Sequence, residues 1–251
     1  MTLRKTTLAA ACVALIGCGA APTSTSEAFS DSQREDIEEI VREYLIENPR
    51  ILEEMIAALE SGRQAEAAEQ ARDGIEEHSE ALFSPDLAYV AGNPDGDVTV
   101  VEFFDYRCGY CRGAVADLQE LLKDDPDVKL VLKDYPVLGP ASLFASQASI
   151  AAGKQGKYVE FHWALMEMDE AISEESVMAA AERLGLDLNQ LREDMESDEV
   201  AEKLGENIEL AAALGINGTP NFVIGDQVIP GAIPLRRMKD LVEETREKND
   251  G

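Results

Sequence analysis

Val98-Thr-Val-Val-Glu-Phe-Phe-Asp-Tyr-Arg-Cys108-Gly-Tyr-Cys111-Arg-Gly-Ala-Val115 is the stretch around which the rest of the chain is arranged. Its first half is apolar and β-branched, the composition of a buried strand. Beyond the Cys-x-x-Cys, Ala114, Val115, Leu118, Leu121 and Leu122 recur at helical spacing. The pair therefore falls where a strand turns into a helix, with Cys108 at the helix N-terminus. An ordinary thiol titrates near ~8.5, and only the thiolate is a nucleophile. Unpaired N–H groups and the helix dipole at an N-terminus favour negative charge. Arg107 and Arg112 flank the motif and push the same way. Each unit of pKa depression is worth about 1.4 kcal/mol in favour of the thiolate. Cys108 is assigned as the attacking thiol and Cys111, one helical turn on, as the resolving thiol of a Cys108–Cys111 redox disulfide. A structural disulfide and half a zinc site are the other readings. Zinc takes about four ligands, and the chain adds only His78 and His162, neither at ligand spacing. No metal and no cofactor is expected.

Composition narrows the field further. The chain has 251 residues, with 50 acids against 22 bases and a net charge of −28. One domain plus an accessory region is the natural division for that length. Nucleic-acid binding needs basic patches and is disfavoured. The acidity serves solubility, or adaptation to salt. Of the four cysteines, Cys12 and Cys18 lie in a leader, so the folded part carries only Cys108 and Cys111. A single pair in Cys-x-x-Cys points to catalysis rather than to stapling.

Residues 1–18 have the form of a signal peptide. Arg4 and Lys5 make a basic start, and Leu8 to Ile16 is too short an apolar run to span a bilayer. Leu15-Ile-Gly-Cys18 resembles the lipobox of bacterial lipoproteins, which makes Cys18 a lipidation candidate; ordinary cleavage after Ala20 or Ala28 is the alternative. Residues 19–30 read as a flexible tether. Loss of Arg4 and Lys5 leaves 20 bases against 50 acids, a net −30. An export signal implies an oxidising compartment.

Residues 31–80 read as an N-terminal helical oligomerisation region. Ile37, Ile40, Val41, Tyr44 and Leu45 form one stripe at helical spacing; Asn48-Pro49 interrupts it. Ile51, Leu52, Met55, Ile56 and Leu59 resume it, and Ser61-Gly62 is expected to end that stretch. A helix of this kind is marginal in water unless its stripe is buried. Copies of itself or its own catalytic domain could cover it.

In the following part, residues 82–96 read as a connector rich in Pro and Gly. Glu102 shares a strand face with Val98, Val100 and Phe104. A buried carboxyl there would have a raised pKa and could pass a proton to or from Cys111; a partly solvated strand acid is the alternative. Asp105 is expected to counter the arginines and blunt thiolate stabilisation. Residues 128–133 alternate as a second central strand. Lys133 belongs either against Glu102 or on an exposed polar edge. Residues 141–213 read as helical throughout, with small Ala145, Ala148, Ala151 and Ala152 packing closely and Val159, Phe161, Trp163, Leu165 and Met166 as the bulky part. Ser173 looks like a helix start and Gly185 a stop. His162 and Trp163 are expected in the core, with a place lining a peptide groove as the alternative. Gly225-Asp226 reads as a turn between two short strands, and residues 235–247 as a final helix covering the sheet.

Three segments carry a family resemblance over about residues 90–248. Glu102-Phe-Phe-x-x-x-Cys-Gly-Tyr-Cys111, Lys133-Asp-Tyr-Pro-Val-Leu-Gly139 and Gly218-Thr-Pro-Asn-Phe-Val-Ile-Gly225 resemble the DsbA-like thiol-disulfide oxidoreductases of the bacterial periplasm. The resemblance implies an α/β, thioredoxin-like fold over 81–248, with an inserted helical domain at 141–213, preceded by the helical stalk. It implies a cis bond at Thr219-Pro220, with Thr219, Pro220 and Tyr110 facing substrate, and an acid at the Glu102 position beneath the disulfide. Residues 31–80 resemble the oligomerisation helix of the ScsC-type group, which implies a trimer. Expected partners are unfolded or misfolded secreted proteins with cysteines and a membrane redox protein that recycles the pair. The place is the periplasm of a Gram-negative bacterium, with attachment to the outer membrane if Cys18 is lipidated. Cys-Gly-Tyr-Cys with Thr before the proline resembles the isomerase branch; a general disulfide oxidase of the same fold is the alternative. An anchored Cu(I)-binding or structural envelope protein is the reading from another class.

Overall fold

The computed structural model describes residues 29–83 and 89–250. The leader, Cys18 and most of the tether lie outside the described residues. The chain divides into two compact units, Met1–Ala58 and Leu59–Gly251.

In the first unit, α1 (Asp31–Glu47) begins with a reciprocal cap. The Ser30 hydroxyl accepts from the Gln33 N–H at 3.3 Å, and the Gln33 side chain accepts from the Ser30 N–H at 2.9 Å. The helix stops at Asn48, because the residue before Pro49 is pushed out of the α region. Then α2 (Arg50–Glu77) starts. It runs straight through Ser61-Gly62, where a stop was expected. A Cβ at Gly62 would have nothing within 4 Å. The glycine there costs only its lower propensity, about 1 kcal/mol, and good helix formers on both sides outweigh it. Ile40, Tyr44, Leu52 and Met55 of the apolar stripe are 57–64% exposed.

The second unit is built on one mixed sheet of β1 (Tyr89–Gly92), β2 (Val98–Phe104), β3 (Val128–Asp134), β4 (Asn221–Ile224) and β5 (Gln227–Pro230), in the order β1-β3-β2-β4-β5. β2 and β3 run parallel, and the other pairs are antiparallel. The connector expected at 82–96 thus contains a strand. Four residues are too few for alternation to show, and β1 owes its form to hydrogen bonds with β3. The crossover from β2 to β3 is α4 (Gly109–Asp124). Five helices then precede β4: α5 (Pro140–Lys154), α6 (Tyr158–Glu167), α7 (Glu174–Arg183), α8 (Leu188–Met195) and α9 (Asp198–Ala213). The chain closes with α10 (Leu235–Asp250).

Both faces of the central strands are covered, so β2 is buried nearly throughout. Val98, Val100 and Phe104 pack with Ala114, Val115 and Leu118 of α4 and Met238 and Leu241 of α10. Val101 and Phe103 point the other way, onto Ile75 of α2, Leu82 of α3 (Ser79–Phe83) and Leu210 of α9. Ala145, Ala148, Ala151 and Ala152 of α5 are fully buried, as their small size suggests, and Phe161 and Leu165 are buried with them. Gly153 of α5 is needed for a close approach: a Cβ there would lie 2.4 Å from the Tyr89 ring. Ser173 and Ser176 form the reciprocal cap of α7, and Gly185 takes a positive φ of 68° just past its end.

Lys133 is neither beside Glu102 nor on an edge. The parallel register sets Phe103 opposite Lys133 and Glu102 opposite Leu132, so the lysine lies on the Phe103 face of a central strand. Its ammonium donates to the Ala81 carbonyl at 2.8 Å, and that of Lys129 to the Phe83 carbonyl at 2.9 Å. Together they complete the carbonyl end of α3. Burial lowers the Lys133 pKa to about 8.

Candidate active site

β2 ends at Phe104, the chain turns over Asp105-Tyr106-Arg107, and Cys108 becomes the N-cap of α4. The Cys108 N–H donates to the Asp105 carbonyl at 3.0 Å, which closes the turn. Cys108 Sγ accepts from the Cys111 N–H at 3.3 Å, so the sulfur stands where an N-cap oxygen would stand. Both cysteines are buried free thiols. The Cys108 pKa falls to about 6, first through the hydrogen bond from the Cys111 thiol, then through the Thr219 side chain and the backbone N–H groups of Cys111 and Tyr110, against the cost of burial. The arginines act elsewhere: Arg107 donates to the Leu138 carbonyl and Arg112 to the Met166 carbonyl at 3.1 Å. Thiolate stabilisation here comes from helix-end hydrogen bonds rather than from flanking cations, which corrects the reading of those two residues.

Cys111 goes the opposite way. Burial pushes its thiol well above the usual range, then the hydrogen bond it gives Cys108 and the Glu102 charge add to that. Glu102 lies mid-strand, between Leu132 of β3 and Phe222 of β4, and is 1% exposed. Its Oε1 is buried without a hydrogen-bond partner among the described residues. Burial, and then the Cys108 charge, raise its carboxyl to about 8. A partly solvated acid is thereby ruled out. One helical turn thus joins a thiol that ionises easily to one that does not, above a carboxyl that titrates near neutrality.

Across from the pair, the Thr219-Pro220 bond is cis. The Cys108 S–H donates to the Thr219 carbonyl at 3.3 Å, which brings this loop against the thiol. Pro220 is buried and its carbonyl accepts from the Gly231 N–H at 2.9 Å; Asn221 Nδ2 holds the Gly218 carbonyl at 2.7 Å. Tyr110 is 76% exposed at the tip of α4.

Two groups behind the site escaped the sequence reading. Asp105 is fully buried and binds loop groups instead of acting on the arginines. Its Oδ1 accepts from the Arg107 N–H at 2.8 Å and the Ser142 hydroxyl at 2.7 Å, and its Oδ2 accepts from the Leu138 N–H at 2.9 Å. No pattern along the chain links residue 105 to 138 and 142. The second group is a buried polar layer. His162 is fully buried, in the core as expected, with Tyr106 Oη 3.3 Å from its Nδ1 and its ring edge-on to Phe104. Burial lowers its pKa to about 3, so it is neutral. Tyr158 donates to Asp134, whose pKa burial raises to about 7. Trp163 is half-buried beside it. Among the described residues there is no group of three or more His, Cys, Asp or Glu placed to hold a metal ion.

Comparison with known proteins agrees with this geometry. A family model of the DSBA-like thioredoxin domain matches residues 99–243, and one of the copper resistance protein ScsC N-terminal domain matches residues 33–66. The chain is 48% identical to a thioredoxin-like oxidoreductase from Silicibacter pomeroyi DSS-3, over 67% of this chain and 97% of that one, with a TM-score of 0.65. It is 31% identical to Proteus mirabilis ScsC in a transitional conformation, over 88% of this chain and 100% of that one, also with a TM-score of 0.65. The Na(+)/H(+) antiporter NhaA 3 of Salinispora tropica is 31% identical over 172 residues, 68% of this chain and 26% of that protein. The match thus spans about a quarter of the length of such curated relatives.

Proposed function

The chain belongs to the DsbA-like thioredoxin-domain family, and on that footing we propose that it exchanges thiols and disulfides in secreted proteins through Cys108 and Cys111. The observation that carries this reading is the opposed titration of the two thiols: Cys108 drawn down to about 6 and Cys111 held neutral over Glu102. The Cys108 thiolate attacks one sulfur of a substrate disulfide. That S–S bond breaks, the other sulfur leaves as a thiolate, and a mixed disulfide forms on Cys108. Glu102, when ionised, takes the Cys111 proton. The Cys111 thiolate then attacks Cys108 Sγ, and the second substrate thiolate leaves. Two electrons pass from the dithiol to the substrate, and a Cys108–Cys111 disulfide remains. When a substrate thiolate returns to the mixed disulfide first, it expels Cys108, and the substrate is reshuffled without net electron transfer. In this reading the backbone at Thr219-Pro220, which meets the thiol, pairs with an extended substrate segment, and the exposed Tyr110 ring contacts it.

We infer an isomerase or reductase working as a homo-oligomer, a trimer by resemblance, in the periplasm of a Gram-negative bacterium. Cys-Gly-Tyr-Cys with Thr219 before the proline supports the direction. The exposed stripe of α1 and α2 and the match to the ScsC N-terminal domain support self-association. The basic, apolar leader supports export, with lipid attachment at Cys18 as part of the proposal. Substrates would be unfolded or misfolded proteins with cysteines, and a membrane redox protein would recycle the pair. A general oxidase is the second reading. The low pKa of Cys108 favours it, because a stabilised thiolate makes the disulfide form more oxidising.

Reactivation of scrambled ribonuclease by the reduced full chain separates these readings. Wild type is compared with Cys108→Ala and with Ile40→Glu/Leu52→Glu, whose positions are exposed. Reactivation lost in both variants, with the double variant monomeric by light scattering, supports the oligomeric isomerase. Weak reactivation combined with rapid oxidation of reduced ribonuclease by the disulfide form supports the oxidase. No exchange in either direction refutes both.

A further inference from the structure

Two stretches far apart in sequence meet beside Cys108. One is the turn between β2 and α4, and the other runs from Tyr135, just past β3, through Gly139 into the first turn of α5 at Ser142. Hydrogen bonds join them at both ends and in the middle. The Tyr135 N–H donates to the Phe104 carbonyl at 2.8 Å. The Arg107 guanidinium donates to the Leu138 carbonyl. Between these lies the Asp105 carboxylate, fully buried, which takes the Leu138 N–H and the Ser142 hydroxyl from one stretch and the Arg107 N–H from the other.

Three donors converge on one side chain, and all three are uncharged. A carboxylate, with two acceptor oxygens and no donor, meets that demand; an amide offers one acceptor oxygen and presents donors at the other end. Hydrogen bonds to an ionised group are the stronger kind, about 1.5–3 kcal/mol each. That strength is needed to hold a buried charge which has no opposite charge of its own among the ion pairs of the described residues.

The segment held in this way carries unusual side chains for so acidic a surface. Val137 and Leu138 are each 45% exposed, and Leu143 follows at 42%. The Leu138 carbonyl is held by Arg107, the residue before the attacking thiol. We propose that Asp105 is a positioning residue that sets which disulfides Cys108 can reach. Its carboxylate latches the 135–142 segment to the cysteine turn, and the latched Val137 and Leu138 receive the apolar flank of an unfolded polypeptide whose disulfide lies at Cys108. The proposal rests on the exchange reading above and adds the residue that holds the receiving segment at the site. The occupant follows from continuity with the exchange site: Arg107, next to the attacking thiol in sequence, is bonded to the Leu138 carbonyl, so the exposed Leu138 lies within reach of a polypeptide extending from Cys108 and offers a small disulfide nothing. Apolar side chains flanking a cysteine are mostly buried in a folded protein and become available when it unfolds.

The test compares two disulfides on the full chain: scrambled ribonuclease and oxidised glutathione. Second-order rate constants are measured for wild type, Asp105→Asn and Val137→Ser/Leu138→Ser. In Asp105→Asn, whichever way the amide turns, at least one of the three donors loses its acceptor. In the double variant only exposed side chains change. The latch predicts that the ratio of the ribonuclease rate constant to the glutathione rate constant falls about tenfold in both variants, roughly the weight of one such contact. It also predicts that the pH midpoint of Cys108 alkylation stays that of wild type. A ratio equal to wild type in either variant overturns the proposal. So does a shifted alkylation midpoint, because Asp105 would then be acting on the thiol. If wild type exchanges with neither disulfide, the exchange reading falls and takes the latch with it; an active wild type with unchanged ratios sinks the latch alone.

Discussion

Replacing Glu102 by Gln tests the buried carboxyl directly. Glu102 is raised from 4.5 to about 8, by burial first and by the Cys108 charge second. An unfolded chain gives up this proton near 4.5, whereas the folded chain keeps it until about 8. Between those values the native state binds more protons than the unfolded state, so wild-type stability falls as pH rises. The slope is about 1.4 kcal/mol per pH unit while the difference is a full proton. Three units, from about pH 5 to 8, give a loss of about 4 kcal/mol attributable to this one group. Glu102→Gln keeps the shape and removes the charge. Near pH 5 the two reduced proteins should have similar stability. By pH 8 the variant should be the more stable by several kcal/mol, in spite of its slower chemistry. The Cys108 thiol acts with the opposite sign, since its depressed pKa adds stability as pH rises above about 6. Both proteins carry it, so the difference between them reports Glu102 together with its coupling to the Cys108 charge. Urea denaturation of the reduced forms at half-unit steps from pH 5 to 8.5 is the assay. A stability difference that stays flat across this range would refute the placement of an unpartnered carboxyl in the β2 core. Single-turnover resolution of a mixed disulfide on Cys108 should slow in the variant near pH 8, where the wild-type base is present.

Other outcomes follow from the same contacts. Cys111→Ala removes the first cause of the Cys108 depression, so the midpoint for iodoacetamide alkylation of Cys108 should rise from about 6 by roughly one to two units, the weight of a hydrogen bond to a charged sulfur. An unchanged midpoint would mean that the helix N-terminus alone holds the thiolate. Gly153→Ala places a methyl group 2.4 Å from the Tyr89 ring, which already stacks on Tyr158. The overpacking should cost about 1–3 kcal/mol, seen as a lower urea midpoint, with Cys108 reactivity unchanged. A neutral result would show that the Tyr89 ring moves aside freely.

Much of this protein could be read along the chain. The strand, the Cys-x-x-Cys and the following helix interact through neighbouring residues, so the N-cap role of Cys108 is local and legible. The burial of Glu102 followed from period two in a strand whose apolar residues lie on both faces. The cap at Ser173 is a four-residue device, closed by Ser176. Failures came where the cause lay outside the local window. Tyr89–Gly92 is a strand because β3 supplies its hydrogen bonds. Lys133 faces away from Glu102 because the parallel register sets Leu132 opposite Glu102, and a shift of one residue reverses every side chain.

Local order, then, was enough to place the two cysteines at a strand-to-helix turn, to put Glu102 on a buried strand face and to mark the apolar stripe at the N-terminal end; the thioredoxin-like fold was legible through the resemblance of three segments to a family. Only the tertiary structure assigned the source of thiolate stabilisation, since Arg107 and Arg112 are committed to carbonyls that lie 31 and 54 residues away in sequence. It set Thr219 beside Cys108, across 111 residues, a nearness otherwise implied only by the family resemblance, and it alone joined Asp105 to Leu138 and Ser142. Hydrophobic periodicity records which face of an element is buried. Hydrogen-bond partners across a fold leave no periodic trace, because a donor at one place and an acceptor at another are matched in space and not in sequence.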